Sequence, residues 1–517
     1  MDKPIILWAD DEIELLMPHV LFLEEKGFTV ETTTNGQDAI DMFSKKAYDI
    51  VFLDENMPGL SGLETLVRIK NQNASVPVIM ITRSEEEHIM EDAIGSKIAD
   101  YLIKPVNPNQ ILLCIKKNLD TRRLVGEKTT SSYQQEFRNI SMRLNDRLSY
   151  AEWVEIYRKL VYWELELGDS GDSGMYDIIT MQKDEANLQF GKFIEQHYVD
   201  WLKNDEKSPV MSHTLFRKKI LPVVESTQDP VFFILIDNLR FDQWKVIAPV
   251  LSELYRVVEE DAYYSILPTA TQYSRNAIFA GMMPSDIEKR FPKLWVNDED
   301  EEGKNMHEEE FMADQLQRLG KQYKFSYNKI TKFEAGKELA DNVSNLFQNK
   351  FNVIVYNFVD MLSHARTDMQ VIRELADDES AYRSLTLSWF EHSPLLEILR
   401  KIASRKVKLV ISTDHGTIRV KEPSKLVGDR NTNTNLRYKQ GKSLTYEKRD
   451  VFEVKNPSDA MLPRTNLSTT FVFAKQDRFF AYPNNYNHYV KFYRNTFQHG
   501  GISLEEMIIP CITLTNK

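Results

Sequence analysis

The sequence is poor in cysteine: among 517 residues only Cys114 and Cys511 occur, each inside an apolar stretch. Two thiols cannot build a disulfide framework or a cysteine metal cluster, and a reducing compartment suits them. An apolar run long enough to cross a membrane, about 18 residues, is missing as well. The N-terminal IILWA run (residues 5–9) is cut off by acids before it reaches the length of a signal-peptide core, so a soluble, cytoplasmic chain without membrane insertion is expected. Excess positive charge is also absent. With 65 Lys and Arg against 77 Asp and Glu, the net charge of -12 argues against a protein that coats nucleic acid along its whole surface.

What is present is enough apolar material for several cores. Hydrophobic residues make up 42% and charged residues 27%, an ordinary balance for globular domains of about 100–200 residues each, so two or three units are expected. The first carries an alternating pattern. Strand runs at 5–9, 28–33, 48–56 and 76–82 are separated by helical patterns at 13–26, 37–46, 62–72 and 85–96. Near-continuous apolar strands alternating with amphipathic helices predict a parallel sheet covered on both faces, with its functional edge at the carboxyl ends of the strands.

Asp10, Asp11, Asp54, Thr82 and Lys104 all fall at such ends. Three carboxylates brought to one edge repel one another unless a cation joins them, and hard oxygen ligands suit Mg²⁺. Asp54 is then placed to attack a phosphoryl group, with Thr82 bonding the product oxygen and Lys104 pairing with its charge. These residues, with MPGLSG after Asp54 and the Lys104-Pro105 pair, resemble the receiver domain of two-component response regulators over about residues 3–120. The resemblance implies a flavodoxin-like fold, phosphorylation of Asp54 by a sensor histidine kinase, Mg²⁺ on Asp10, Asp11 and Asp54, and a switch through Thr82, Tyr101 and Lys104. Arg83 stands where that family usually has a small residue, which bears on phosphodonor access.

From 121 to 207 the apolar spacing becomes helical, with a break at GDSGDSG (168–174), and predicts a small helical bundle or linker domain. Trp153, Tyr157, Tyr162 and Trp163 read as packing residues there. A common response-regulator output, a DNA-binding unit with a recognition helix, finds no support, so sequence-specific DNA binding is not expected. Residues 208–517 instead return to an α/β pattern.

In that region the apolar runs VFFILI, FNVIVYNFV and KLVIST end at Asp237, Asp360 and Asp414. His415 adjoins Asp414, His364 lies four residues after Asp360 on the same face if that stretch is helical, and His499 sits in FQHGGIS. Carboxylates mixed with imidazoles favour Zn²⁺, and Mn²⁺ less strongly, over Mg²⁺. Six ligands exceed one tetrahedral zinc, so two metals are expected, an arrangement suited to in-line displacement at phosphorus. Thr269, Thr271 and Ser274, ahead of a predicted helix, are candidates for the nucleophile, although capping is the ordinary work of such residues.

The order Asp237, TxT, Asp360-x-x-x-His364, Asp414-His415 and His499 is similar to that of the alkaline phosphatase superfamily, and the HGGIS ending to its PglZ branch. The resemblance implies one zinc on Asp237, Asp414, His415 and Thr271, a second on Asp360, His364 and His499, and Thr271 as nucleophile. A threonine nucleophile points to phosphodiesterase members and so to a nucleotide or oligonucleotide substrate, with Arg275 the nearest arginine for substrate binding.

Receiver, helical segment and PglZ-type domain in this order resemble response regulators associated with type IX secretion, in which phosphorylation drives a homodimer. The rival function is a signalling adaptor whose last domain binds a sigma factor or secretion component. Two charge runs complete the picture. Nine bases against three acids lie between Gly416 and Arg449, reading either as a guide for a polyanion or as a solvated flexible loop. NDEDEEG at 297–303, with the glutamates at 308–310, reads as a solvated acidic loop.

Overall fold

A computed structural model describes residues 3–73, 76–82, 98–170, 173–297, 303, 305–357, 378–429, 432–466 and 468–517. Arg83, Asp360 and His364 lie outside the described residues. The chain divides into two compact units, Met1–Gln135 with Asp169–Asp172, and Glu136–Gly168 with Ser173–Lys517.

The first unit is built on five strands, β1 (Ile5–Ala9), β2 (Thr29–Thr33), β3 (Ile50–Asp54), β4 (Val78–Thr82) and β5 (Asp100–Ile103). They pair in parallel in the order β2-β1-β3-β4-β5, the flavodoxin-like arrangement. Alternation along the strands divides the core. Leu7, Val51 and Leu53 pack on one face with Ala39, Leu66 and Ile69, while Ile6, Trp8 and Phe52 pack on the other with Val20, Leu23, Ile111 and Ile115. Helix Gly62–Gln72 begins in a capping box between Ser61 and Glu64. It starts so close to β3 that a Cβ on Gly62 would lie 2.4 Å from the Asp54 carbonyl oxygen, so only glycine fits behind that carboxylate.

Among the described residues the second unit carries further strands: β6 (Val231–Ile236), β7 (Tyr255–Tyr264), β8 (Phe325–Ile330), β9 (Phe351–Tyr356), β10 (Lys408–Ser412), β11 (Ile418–Arg419), β12 (Glu422–Val427), β13 (Tyr438–Gly441), β14 (Thr445–Tyr446), β15 (Val451–Val454), β16 (Thr470–Ala474), β17 (Arg478–Ala481), β18 (Phe497–Gln498) and β19 (Ile508–Asn516). Its central sheet runs β7-β19-β10-β6-β9-β8. Strands β10, β6, β9 and β8 are parallel, and β19 is antiparallel to both of its neighbours. The apolar runs of β6, β9 and β10 are buried on both sides, as expected for a parallel sheet under helices.

Helices Tyr150–Ser170 and Ser173–Lys203 belong to this same unit. Trp153, 3% exposed, packs against Phe190 and Phe193, and the Tyr264 hydroxyl donates to the Tyr150 carbonyl at 2.8 Å. Tyr162 is the exception among the aromatic residues read as packing, being 52% exposed. The basic stretch after Gly416 is also more ordered than a flexible loop, because β11, β12 and β13 pair with later strands in small sheets and β14 pairs with β12. Two of its cations are interior: Arg437 holds Glu506 with both arms of its guanidinium, and Lys439 is 1% exposed. Glu308 departs from its expected solvation too. It is buried, with the Lys329 ammonium 2.8 Å away, whereas Glu309 and Glu310 are exposed.

Candidate functional site

In the first unit, β1 and β3 end side by side and bring Asp10 and Asp54 to one edge, both buried, with the exposed Asp11 beside them. One carboxylate oxygen from each lies within 4.8 Å of the others. The Lys104 ammonium is 3.0 Å from Asp10 and 2.8 Å from Asp54. Burial raises the Asp54 carboxyl above its ordinary value, as do Asp10 and Asp11, and Lys104 works against that rise. For Lys104, burial favours the neutral amine, but the bonds to Asp54 and Asp10 prevail and raise its pKa. Thr82 ends β4, adjacent to β3, and Tyr101 on β5 is 41% exposed. The five strand-end residues thus meet at one edge, and an oxygen set of this charge fits a hard divalent cation.

The second site is assembled from three loops. Asp237 follows β6, Asp414 and His415 follow β10, and all three are buried with ligand atoms within 4.8 Å of one another. Asn238 takes a left-handed φ of 64°, which asparagine tolerates, and its N–H donates to Asp414 Oδ1 at 3.3 Å. His499, just past β18, stacks on His415 with ring centres 4.3 Å apart. Its Nδ1 lies 3.1 Å from the Thr269 carbonyl.

The three hydroxyl candidates separate clearly. Thr269 donates to the Gly501 carbonyl and accepts from Gly500 N–H, and Ser274 pairs with Ser265; both are fully buried. Thr271 is partly exposed at the start of helix Thr271–Ala280, where Ala270 is the N-cap and no side chain caps. Its Oγ1 lies 3.0 Å from His415 Nε2, while His415 Nδ1 faces the Gly416 carbonyl at 3.2 Å. A hydroxyl set against an imidazole nitrogen, at the amide-rich start of a ten-residue helix, combines a nucleophile with an anion-binding end.

Arg275 corrects the expectation that it binds substrate. One turn after Thr271 it is completely buried, its Nε donating to Asp414 at 2.9 Å and its Nη2 paired with Asp237. Nη1 reaches Asn357, just past β9, at 3.2 Å. The guanidinium therefore compensates the two aspartates and does not face a ligand. Burial raises the Asp414 carboxyl, but Arg275 and His415 outweigh it and hold Asp414 well below the ordinary carboxylate range. Sequence reasoning also missed Asn305, whose Nδ2 donates to the Thr271 carbonyl at 3.0 Å and to Asn276 at 3.3 Å. Its place in an acidic run gave no local signal. Two carboxylates and an imidazole converging in a buried site fit a borderline metal such as zinc, with His499 close by.

Three family models match successive parts of the chain. Residues 6–116 match the response regulator receiver domain, 123–202 the PorX response regulator linker domain, and 215–514 the BREX system PglZ alkaline phosphatase-like domain. The chain is a response regulator with a receiver domain and a phosphatase-superfamily domain. It belongs to the PglZ alkaline phosphatase-like family, whose model spans more than half of it.

Among curated relatives, the alginate biosynthesis regulator AlgB of Pseudomonas syringae pv. tomato is 32% identical over 119 residues, 23% of this chain and 27% of that protein. ResD of Bacillus subtilis is 32% identical over 111 residues, 22% of this chain and 46% of its own length. The match thus spans under half of either relative. Among solved structures, a receiver domain from Clostridium thermocellum is 28% identical, covering 23% of this chain and 98% of its own, with a TM-score of 0.23. The chemotaxis protein CheY4 of Vibrio cholerae is 25% identical, covering 23% and 99%, with a TM-score of 0.22. Among the described residues no helix is long and apolar enough to cross a membrane.

Proposed function

We propose that this response regulator is a phosphorylation-controlled, two-zinc phosphodiesterase that cleaves nucleotides or short oligonucleotides. The observation carrying this reading is the 3.0 Å approach of Thr271 Oγ1 to His415 Nε2 beside the Asp237, Asp414 and His415 cluster. Asp237, Asp414, His415 and Thr271 would hold one zinc, and Asp360, His364 and His499 the other. When bound, the metals supply Lewis-acid stabilisation of the phosphoryl oxygens and lower the pKa of the attacking hydroxyl.

The chain's own residues do the rest. The N-terminal amides of helix Thr271–Ala280 face the phosphoryl oxygens. Thr271 Oγ1 gives up its proton to solvent and forms a bond to phosphorus as the ester oxygen leaves with its electron pair and takes up a proton; water then cleaves the phosphothreonine, restoring the hydroxyl and releasing the phosphate monoester. Asn305 and Arg275 keep the Thr271 backbone and the two aspartates in place. Among the described residues Arg275 is committed to those aspartates and offers no clamp for the dianion of a monoester, which supports a diester.

In the receiver, Mg²⁺ on Asp10, Asp11 and Asp54 prepares phosphorylation of Asp54 by a sensor histidine kinase, Thr82, Tyr101 and Lys104 transmit the change, and the phosphorylated chain forms a homodimer in the cytoplasm. The linker match at 123–202, with the resemblance of the three-part order, supports a role in type IX secretion.

The test is hydrolysis of bis-p-nitrophenyl phosphate and of a dinucleotide by zinc-loaded protein, with and without acetyl phosphate, beside Thr271→Val. Turnover that falls by about 10³-fold or more in the variant is expected, the scale on which removing a nucleophile acts. No turnover in any metal or phosphorylation state would replace the enzyme with an adaptor that binds a sigma factor or secretion component.

A further inference from the structure

A buried ionic chain links the segment matching the linker domain to the loops of the metal site. Glu164, on helix Tyr150–Ser170, is 3% exposed and accepts from Lys183 at 2.6 Å and from Arg383 at 3.0 Å. Arg383 also reaches Asp242 at 3.2 Å, and Asp242 is held through both oxygens by Arg240 at 2.9 and 2.6 Å. Arg240 lies three residues after Asp237. On the other side, the Lys183 ammonium is 3.4 Å from Glu505, and Asn187 donates to Glu505 at 3.0 Å while accepting from Leu504 N–H at 2.8 Å. Glu505 lies six residues after His499. Its carbonyl presses on Gly416, where a Cβ would come within 2.1 Å, so it also bears on the residue following His415.

The loops at Asp237 and His499 are thus tied to one pair of helices through charged groups, and the Asp414-His415 loop is reached through the Glu505 backbone. Buried ion pairs are a poor source of net stability compared with apolar packing, but they tolerate few relative positions of the elements that carry them. Apolar contacts such as Trp153 on Phe190 already fasten these helices. The ions add register.

We propose that Glu164, Lys183 and Asn187 are positioning residues through which the linker helices set the geometry of the metal-ligand loops. The inference rests on the metal reading given above. A displacement of either helix would move Arg240 and Glu505, and with them Asp237, His415 and His499, so the linker helices control how well the site holds metal.

The test measures zinc affinity directly, by competition with a chromophoric chelator, on the full-length protein, the Glu164→Gln and Asn187→Ala variants, and Ile402→Val. Ile402→Val is a control that trims a fully buried side chain on helix Pro394–Ala403, away from the ionic chain. Zinc affinity should fall about tenfold in the two linker variants, the scale on which groups behind a ligand act, and stay at the parent value in the control. If Glu164→Gln fails to fold, Asn187→Ala decides, since it removes only an amide. Unchanged affinity in a folded linker variant, or equal weakening in Ile402→Val, overturns the proposal. A parent protein that binds no zinc would instead overturn the metal reading, and this inference with it.

Discussion

The two acidic clusters of this chain solve the same electrostatic problem with different cations, and the difference separates a switch from a fixed frame. At the receiver edge, Lys104 approaches Asp10 and Asp54 as a single ammonium on a flexible stem, its side chain 11% exposed. At the phosphatase edge, Arg275 is wholly enclosed and pairs with Asp237 and Asp414 through different nitrogens. A point charge at the mouth of a site can follow a phosphoryl group as it arrives. A planar guanidinium between two carboxylates cannot leave without exposing both to an apolar interior, so it fixes their orientation.

The strongest way to break that contrast is to remove the enclosed cation. Arg275→Met strands Asp237 and Asp414, and losing one partner of a buried ion pair costs about 3–5 kcal/mol. Thermal unfolding in the presence of a chelator should show a large drop in the midpoint, and zinc should restore more of it in the variant than in the parent, because the metal then supplies the missing charge. A variant as stable as the parent in chelator would show that Arg275 does not compensate these acids.

Much of this arrangement was legible before any coordinates. Apolar runs that stop at Asp10, Asp54, Asp237 and Asp414 announce strand ends in parallel sheets, and the topology carries Asp10 and Asp54 to one edge of the first sheet and Asp237 and Asp414 to one edge of the second. The parts that were not legible depend on long-range pairing. Nothing local to Arg437 says that it meets Glu506, 69 residues away, nor does the run of glutamates at 308–310 say that the first is drawn inside by Lys329 while the others stay in solvent. A local charge count therefore missed the buried positions Arg437 and Glu308. Arg275 was noticed as near Thr271, but its role depends on which way the helix turns its side chains, and that is set by packing. Residues 121–207 read as a helical linker domain, which the linker-domain match over 123–202 accompanies; in the structure the helices from Tyr150 onward, with Trp153, Tyr157 and Tyr198 buried, belong to the second compact unit.

A third buried cation sharpens the comparison, since among the described residues no acid is paired with Lys439. Burial alone pushes its pKa down to about 7, and its ammonium donates to the Asn433 carbonyl at 2.7 Å above the Tyr482 ring. Here the folded value lies below the unfolded one, so between pH 7 and about 10 the unfolded chain binds the extra proton. Stability should rise with pH across that window. Lys439→Met removes the cost of an enclosed charge and should stabilise the second unit by about 1–3 kcal/mol near pH 6, the gain shrinking by pH 9. Denaturant unfolding at the two pH values checks the sign. A variant less stable at pH 6 would mean that the ammonium's bond to Asn433 outweighs its desolvation.

The smallest effect on stability is expected at Lys104. Lys104→Met removes a cation from two carboxylates, but this cluster opens to solvent through the exposed Asp11, and water and dissolved Mg²⁺ can take over the compensation. The loss should be about 1 kcal/mol in chelator, on the scale of a partly solvated ion pair, and should vanish when Mg²⁺ is added. The response to acetyl phosphate should be lost even so, because Mg²⁺ replaces the charge of Lys104 but not the ammonium that follows the phosphoryl group. A variant that is strongly destabilised, or that still answers acetyl phosphate, would make Lys104 a fixed cation like Arg275 and erase the distinction between the two sites.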